Sequence, residues 1–299
     1  MNHILLAILA TAIWGCNFSV ITFALTDVSP YLLGALRFFL TSIPAIFFLP
    51  RPKASYRLIL AYGLCIFGLQ FALLFAGMHA GMPPGLTSLI LQCQVFFSIL
   101  FAAVFLHEIP SPLQILGAVI AFIGLGLVWV NYTNAESWTG FILVIIAALA
   151  MGAGNLFARK LAHVNSYSLV AWGSFVSTPL LVGLTFYTES PTQIWSSLTH
   201  MSWATIGAVA FITYISTWIG YGIWNVLLRE YTIAAVIPFT LLVPVFGMCC
   251  SFLVFAEPIQ QWELSAAYLI IGGLSINVLG SRLMNRRQKI SLVSATEET

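Results

Sequence analysis

Ten runs of apolar residues follow one another along this chain, almost without charge inside them. They cover residues 3–25, 30–49, 58–78, 84–106, 113–130, 139–157, 167–187, 203–227, 232–256 and 263–280. An α-helix needs about 20 apolar residues to cross the hydrocarbon core of a bilayer, and the runs are of that order. They are continuous rather than alternating, so they read as helices and not as barrel strands. Of 299 residues, 60% are hydrophobic and 7% charged, against roughly 25% charged in a soluble domain. A chain this poor in charge cannot cover a globular surface with polar groups, so its solvent must be lipid. The expected fold is an all-α polytopic membrane protein of ten transmembrane helices, with no room for a sizeable soluble domain. The first run starts almost at Met1, without a basic stretch or a small-residue cleavage site before it. It reads as a retained helix rather than a signal peptide.

Charge sets the orientation. Arg51, Lys53 and Arg57 lie between runs two and three, Arg159 and Lys160 between six and seven, and Arg229 between eight and nine. Arg282, Arg286, Arg287 and Lys289 follow run ten. With ten crossings all of these fall on one side. The opposite loops hold Asp27, Glu136, Glu189, Glu257 and Glu263 and no Lys or Arg. Positive charge marks the cytoplasmic side, so both termini are expected there, in a cell inner (plasma) membrane. Residues 282–299 read as a short cytoplasmic tail. The five cysteines all fall inside apolar runs, which argues for packing residues and against a disulfide framework or a metal site.

The two halves resemble each other. Ala12 to Asn17 (AIWGCN) matches Ala150 to Asn155 (AMGAGN), and Pro44 after Ser-Ile matches Pro179 after Ser-Thr. Glu108 and Glu257 each lead into an apolar helix with a small residue at a matching place, Gly124 and Gly273. Five crossings is an odd number, so the second half inserts upside down relative to the first. The division expected is residues 1–132 for the first repeat and 133–281 for the second. Inverted repeats are a common plan of secondary transporters, with the site near the midplane between the halves.

Several of these residues also carry a family resemblance. The Trp14-Gly15-x-Asn17-Phe18 start, the Leu36-Arg37-Phe38 step and the two Glu-then-Gly-helix units resemble the EamA family of the drug/metabolite transporter superfamily, over residues 3 to 280. The stretches LILQCQVFF (Leu89 to Phe97), GYGIWN (Gly220 to Asn225) and LLVPVFG (Leu241 to Gly247) look like its bacterial amino-acid-metabolite exporter branch, which includes exporters of cysteine and O-acetylserine. The resemblance implies ten helices and efflux of small metabolites. One departure stands out. Pro244 lies thirteen residues before Glu257, whereas the matching place in run four is Val95, near Gln92 and Gln94. A symmetric site is therefore not expected.

Polar side chains inside the runs are few. Arg37 is the one cation within an apolar run, and a cation at such depth needs a compensating partner. It stands about seven residues, roughly 10 Å, into run two. Two readings stay open: a planar fork of donors for a substrate carboxylate, or an anchor on helix-end carbonyls near the outer mouth. Aligned on the two prolines, its repeat partner is Trp172, so only one half supplies a cation. Trp14 and Asn17 share a helix face. Asn17 and Asn155 are repeat partners, suited to amino or carboxyl groups or to plain interhelical bonding. Gln70 is a further candidate. Gln92 and Gln94, two apart on a helix, point about 200° away from one another, and Gln94 is preferred. Thr213, Thr217, Gly220, Tyr221 and Trp224 form a stripe that reads as a cavity wall, or as helix packing with an interfacial aromatic.

Proton coupling usually needs an intramembrane carboxylate or histidine, and here the histidines and acids all lie at run ends or in loops. Facilitated export is as plausible as antiport, and His79 would be the titrating group if protons move. His107-Glu108 lacks the second histidine of a zinc motif and no nucleophile–base pair is placed, so neither an enzyme, a metal nor a cofactor is expected. The expected partners are a small-molecule substrate and the lipid bilayer, with no nucleic acid. A homodimer is left open. The runner-up readings are uptake or exchange of another metabolite, and a non-transporting receptor or scaffold.

Overall fold

Proline, glycine and serine decide where the helices begin, bend and cross. The computed structural model describes residues 3–106, 111–131, 135–161, 164–220, 222–223, 227, 239–240, 242–256, 260–273, 275–276 and 279–280. The regular elements among them are all helical. Run one is α1 (His3–Ala24). Run two is α2 (Pro30–Ser42), opened by the Ser29 side chain accepting from Leu32 N, with Pro30 in the first turn. It stops ahead of Pro44, whose ring and missing N–H cannot continue it. The Thr41 and Ser42 hydroxyls donate to the carbonyls of Arg37 and Phe39 in its last turn. A single 3₁₀ turn, Ala45–Phe47, follows.

Run three is one span, Tyr56–His79. It comprises α3 (Tyr56–Gly63), a π-helical stretch (Leu64–Leu69) and α4 (Gln70–His79). Run four divides into α5 (Pro84–Leu91) and α6 (Gln94–Leu106). Runs five to seven are α7 (Pro112–Asn131), α8 (Ala135–Lys160) and α9 (Ser166–Thr188). α9 continues through Pro179, so the matched prolines have unlike consequences. A short helix that hydropathy alone does not reveal, α10 (Pro191–Thr199), comes next, closed at its start by a Ser190–Gln193 capping box. Run eight is α11 (Trp203–Ala210) followed by a second π stretch, Phe211–Ile219. α12 (Leu242–Phe255) lies in run nine, and α13 (261–273) in run ten.

Seven of these stretches are long and apolar enough to cross a membrane. An eighth is reached if α10 and the helix after it, bent by 95°, count as one span. α12 is shorter. The described residues thus establish a multi-span helical protein, coarser than the ten crossings expected. Large apolar side chains such as Phe105, Val130 and Leu253 are exposed on its outside, where a lipid-solvated protein should have them.

The helices pack reciprocally. α1 lies against α12 as α8 lies against α6, and α1 against α11 and its π stretch as α8 against α4. α2 meets α9 and α5 meets α12. Glycines set the closest crossings, and they give directions as well. Gly15 faces Gly247, and Phe23 faces Phe255 with ring centroids 5.2 Å apart, so α1 and α12 run parallel. Gly34 faces Leu181 while the Trp172 indole reaches the Leu49 carbonyl at 3.4 Å, so α2 and α9 run antiparallel. Gly124 faces Leu269 and Ile270, and Gly273 faces Gly117 and Ala121. The two glycines matched in the sequence therefore make one crossing, of α7 with α13.

One end of the bundle is tied by acids. Asp27, between α1 and α2, accepts from Ser202 N at 2.9 Å and from the Thr205 hydroxyl at 2.6 Å, at the start of α11. These bonds, from Ser202 first and then Thr205, hold its carboxyl well below the usual carboxylate range. The Ser29 hydroxyl donates to Glu189, at the end of α9. Arg51, Lys53, Arg57 and Lys160 stand at the other end.

Two outcomes follow from this packing. Gly273→Val drives a side chain into the Gly117 backbone and should destabilise the detergent-solubilised protein by about 1–3 kcal/mol, whereas Gly272→Ala, at a position with nothing within 4 Å, should leave its thermal midpoint unchanged. The Asp27 carboxyl is lowered in the folded state, so its stabilisation is present at neutral pH and lost as pH falls through and below about 4. Asp27→Asn should therefore lower the midpoint at pH 7, and thermal scans against pH should show that gap closing in acid.

Candidate functional site

Arg37 is buried, 2% exposed, on the inward face of α2. Its Nη2 donates to the Thr217 hydroxyl at 3.2 Å, and its guanidinium carbon stands 4.3 Å from the Phe71 ring centroid and 5.5 Å from that of Phe38. Both rings are part of an aromatic column through α2 and α4, with Phe38–Phe67, Phe38–Phe71 and Phe71–Phe75 centroids 5.1–5.4 Å apart. A ring face attracts a desolvated cation, by about 2 kcal/mol or more. The apolar surroundings thus contribute to holding the charge.

The partner hydroxyl is placed by the π stretch of run eight. Thr217 donates to the Ile212 carbonyl, five residues earlier, at 2.8 Å, which leaves its oxygen free to accept from Arg37. The same stretch turns the Ser216 carbonyl outward, where the Trp14 indole Nε1 donates to it at 3.1 Å. Gly220 permits this approach, since a Cβ there would stand 2.6 Å from Trp14 Nε1. Gly222 does the same for Tyr167, whose hydroxyl would lie 2.9 Å from an added Cβ. Residues from α1, α2, α4 and run eight are thereby brought to one place: Trp14, Arg37, Phe71 and Thr217. Gln70 precedes Phe71 on α4, and Asn17 shares the Trp14 face of α1.

Asn17 and Gln70 are both more than nine-tenths buried, and their side-chain carbonyl oxygens have no hydrogen-bond partner. The hydroxyls of Ser19, Thr213 and Ser216, on the same helices, are in the same condition. Buried polar groups are nearly always paired, and unpaired ones in hydrocarbon cost several kcal/mol each. These groups lie on the helices that carry Trp14, Phe71 and Thr217, and the Ser168 and Ser174 hydroxyls of α9 are unpaired as well.

Asn155 differs from its repeat partner. Its Nδ2 donates to Gln94 Oε1 at 2.6 Å and to the Ser98 hydroxyl at 3.0 Å, joining α8 to α6. Asn155 and Gln94 therefore form an interhelical pair. Gln92 is buried apart from them, at the break between α5 and α6. There the backbone bonds shorten to three-residue steps, as in Cys93 N to Ile90 O and Phe96 N to Cys93 O, so the 200° separation of a regular helix does not apply. Tyr221 and Trp224 lie outside the described residues. His79 is exposed at the end of α4. Phe71 and Ser216 are members of this cluster that the sequence does not single out; their only signal is adjacency to Gln70 and Thr217. Among the described residues no group of three or more His, Cys, Asp or Glu side chains could hold a metal ion.

Known proteins resemble this chain in sequence and in fold. Residues 1–130 and 138–279 each match the EamA-like transporter family. A probable amino-acid metabolite efflux pump of Salmonella typhimurium is 37% identical over 284 residues, 93% of this chain and 95% of the relative. A protein of the same description in Escherichia coli K12 is equally similar, over the same shares. A solved crystal structure matches with a TM-score of 0.66 at 18% identity, covering 95% of this chain and 98% of its own, a likeness of fold.

The two asparagines separate structural from functional roles. Asn155→Ala should cost about 1 kcal/mol, given interhelical bonds of roughly 0.6 kcal/mol each, and Asn17→Ala close to none. Paired thermal scans in detergent check this difference.

Proposed function

The chain belongs to the EamA-like transporter family, and on that premise we propose that it exports amino acids or their derivatives across the cytoplasmic membrane by alternating access. The observation that carries this reading is the buried Arg37–Thr217 pair among unpartnered amide and hydroxyl groups. A guanidinium in an apolar interior is suited to a planar carboxylate, which it engages through two parallel donors. The names of the two 37% identical relatives give the same substrate class.

Two five-helix repeats, residues 1–132 and 133–281, account for the reciprocal packing. Ten alternating crossings would account for the contact directions, parallel for runs one and nine and antiparallel for two and seven or five and ten. In this reading the end that carries Arg51, Lys53, Arg57 and Lys160 is cytoplasmic, as are both termini and the tail 282–299. Arg37 then sits between a first half and a second half of opposite orientation, and rocking one against the other exposes it to each side in turn.

Metabolite profiling of the medium from cells with and without the overexpressed protein tests the substrate class. Amino acids or their derivatives should accumulate outside, and an unchanged profile would refute the proposal. Arg37→Lys and Arg37→Gln should both reduce export about ten-fold or more while the proteins remain folded. Normal export by both would make Arg37 a structural anchor.

A further inference from the structure

The two ends of the bundle are closed by different chemistry. At the acid end, Asp27 of the first half bonds Ser202 and Thr205 of the second at 2.9 and 2.6 Å. Reciprocally, Glu189 of the second half accepts from Ser29 of the first. Both carboxylates sit at helix N-termini, those of α11 and α2, where the helix dipole favours negative charge. Ser29 and Ser202 are themselves the capping residues of those helices. The acids thus tie cap to cap across the halves.

Among the described residues, no such bond joins the matching caps at the basic end. Asn165, which caps α9, turns its side chain back onto Tyr167 N and Ser168 N of its own helix. Ser55, which caps α3, makes no side-chain cap bond. The register that pairs Pro44 with Pro179 puts Ala162 where Asp27 stands and Ala54 where Glu189 stands, so neither acid has a counterpart. The contacts between the halves among the described residues at that end are the Trp172 indole on the Leu49 carbonyl at 3.4 Å, and Tyr167 against Gly222, stacked with Trp218 at 6.3 Å. Hydrogen bonds to an ionised group are roughly twice as strong as neutral ones. Among the described contacts between the halves, the stronger bonds are therefore those of the acid end.

We propose that Asp27 and Glu189 form an extracytoplasmic latch, which holds the two halves together at the outer mouth and must release before substrate can leave. The latch is a positioning device, since neither acid reaches Arg37 or Thr217. It rests on the alternating-access reading, and it goes beyond that reading by assigning the release side its own residues and an intrinsic bias toward the closed state. The hydroxyl of Ser19 is a suitable reporter, buried on α1 five residues, roughly 8 Å, before the helix end that leads to Asp27.

The test uses full-length protein in intact cells, with the five native cysteines replaced and Ser19→Cys added. A membrane-impermeant maleimide is applied from outside. In the double variant Asp27→Ala/Glu189→Ala, labelling should accelerate about ten-fold or more. Thr205→Val, which removes one of the two donors that the second half offers Asp27 and leaves Ser202 in place, should give a smaller acceleration in the same direction. Detergent gel filtration identifies folded variants. Labelling at the unmodified rate in folded Thr205→Val and in the double variant overturns the latch. The readout requires no substrate, so an export assay that fails for want of the right metabolite leaves it intact.

Discussion

A positive charge in the interior of a lipid-solvated bundle is the constraint around which the rest is arranged. In hydrocarbon, every polar group must find its partner within the protein, and a cation is the most demanding of them. Arg37 is met on one side by the Thr217 hydroxyl and on the other by Phe71 and Phe38. Each contact depends on something further away. Thr217 is aimed by the π stretch that carries it, and Phe71 is fixed by the aromatic column behind it. The price of keeping the guanidinium buried is thus spread over three helices, which explains why one residue can organise so much of the chain.

Close helix approach is the second requirement. In a bilayer, association rests on van der Waals contact and hydrogen bonds, because lipid tails are as apolar as the helices. Gly15 against Gly247, Gly63 against Gly173 and Gly124 with Gly273 at the α7–α13 crossing bring backbones together at points distributed over both halves. Ser177 exploits one of these crossings, its hydroxyl lying 2.7 Å from the Gly63 carbonyl. Close crossings also make for discrete arrangements, since a glycine contact that slips by a residue meets a side chain.

Much of this was legible in the sequence. Length and apolarity located runs one to seven, the matched Gly124 and Gly273 proved to be a crossing, and Arg37 stood out because it was charged where nothing else was. The repeat pair Asn17 and Asn155 was visible, but not its divergence, which depends on whether Gln94 and Ser98 of α6 face the amide. The short helix α10 escaped because hydropathy registers runs that cross and overlooks short amphipathic segments; its Ser190–Gln193 capping box was the available signal. The break at Gln92–Cys93 occurs without proline, and the π stretches leave no mark in composition, since they alter only which carbonyl each amide meets.

Those π stretches begin eight residues into Tyr56–His79 and eight residues into the helix that starts at Trp203. Angular phase is what they control. Returning a π stretch to α geometry with no residue removed would turn everything beyond it by about 100°. In run eight that rotation carries Thr217 away from Arg37 and Gly220 away from Trp14; in run three it swings Gln70 and Phe71 off the same centre. The two helices behave as screws cut with one extra thread at the same height, and the polar interior exists only at that setting.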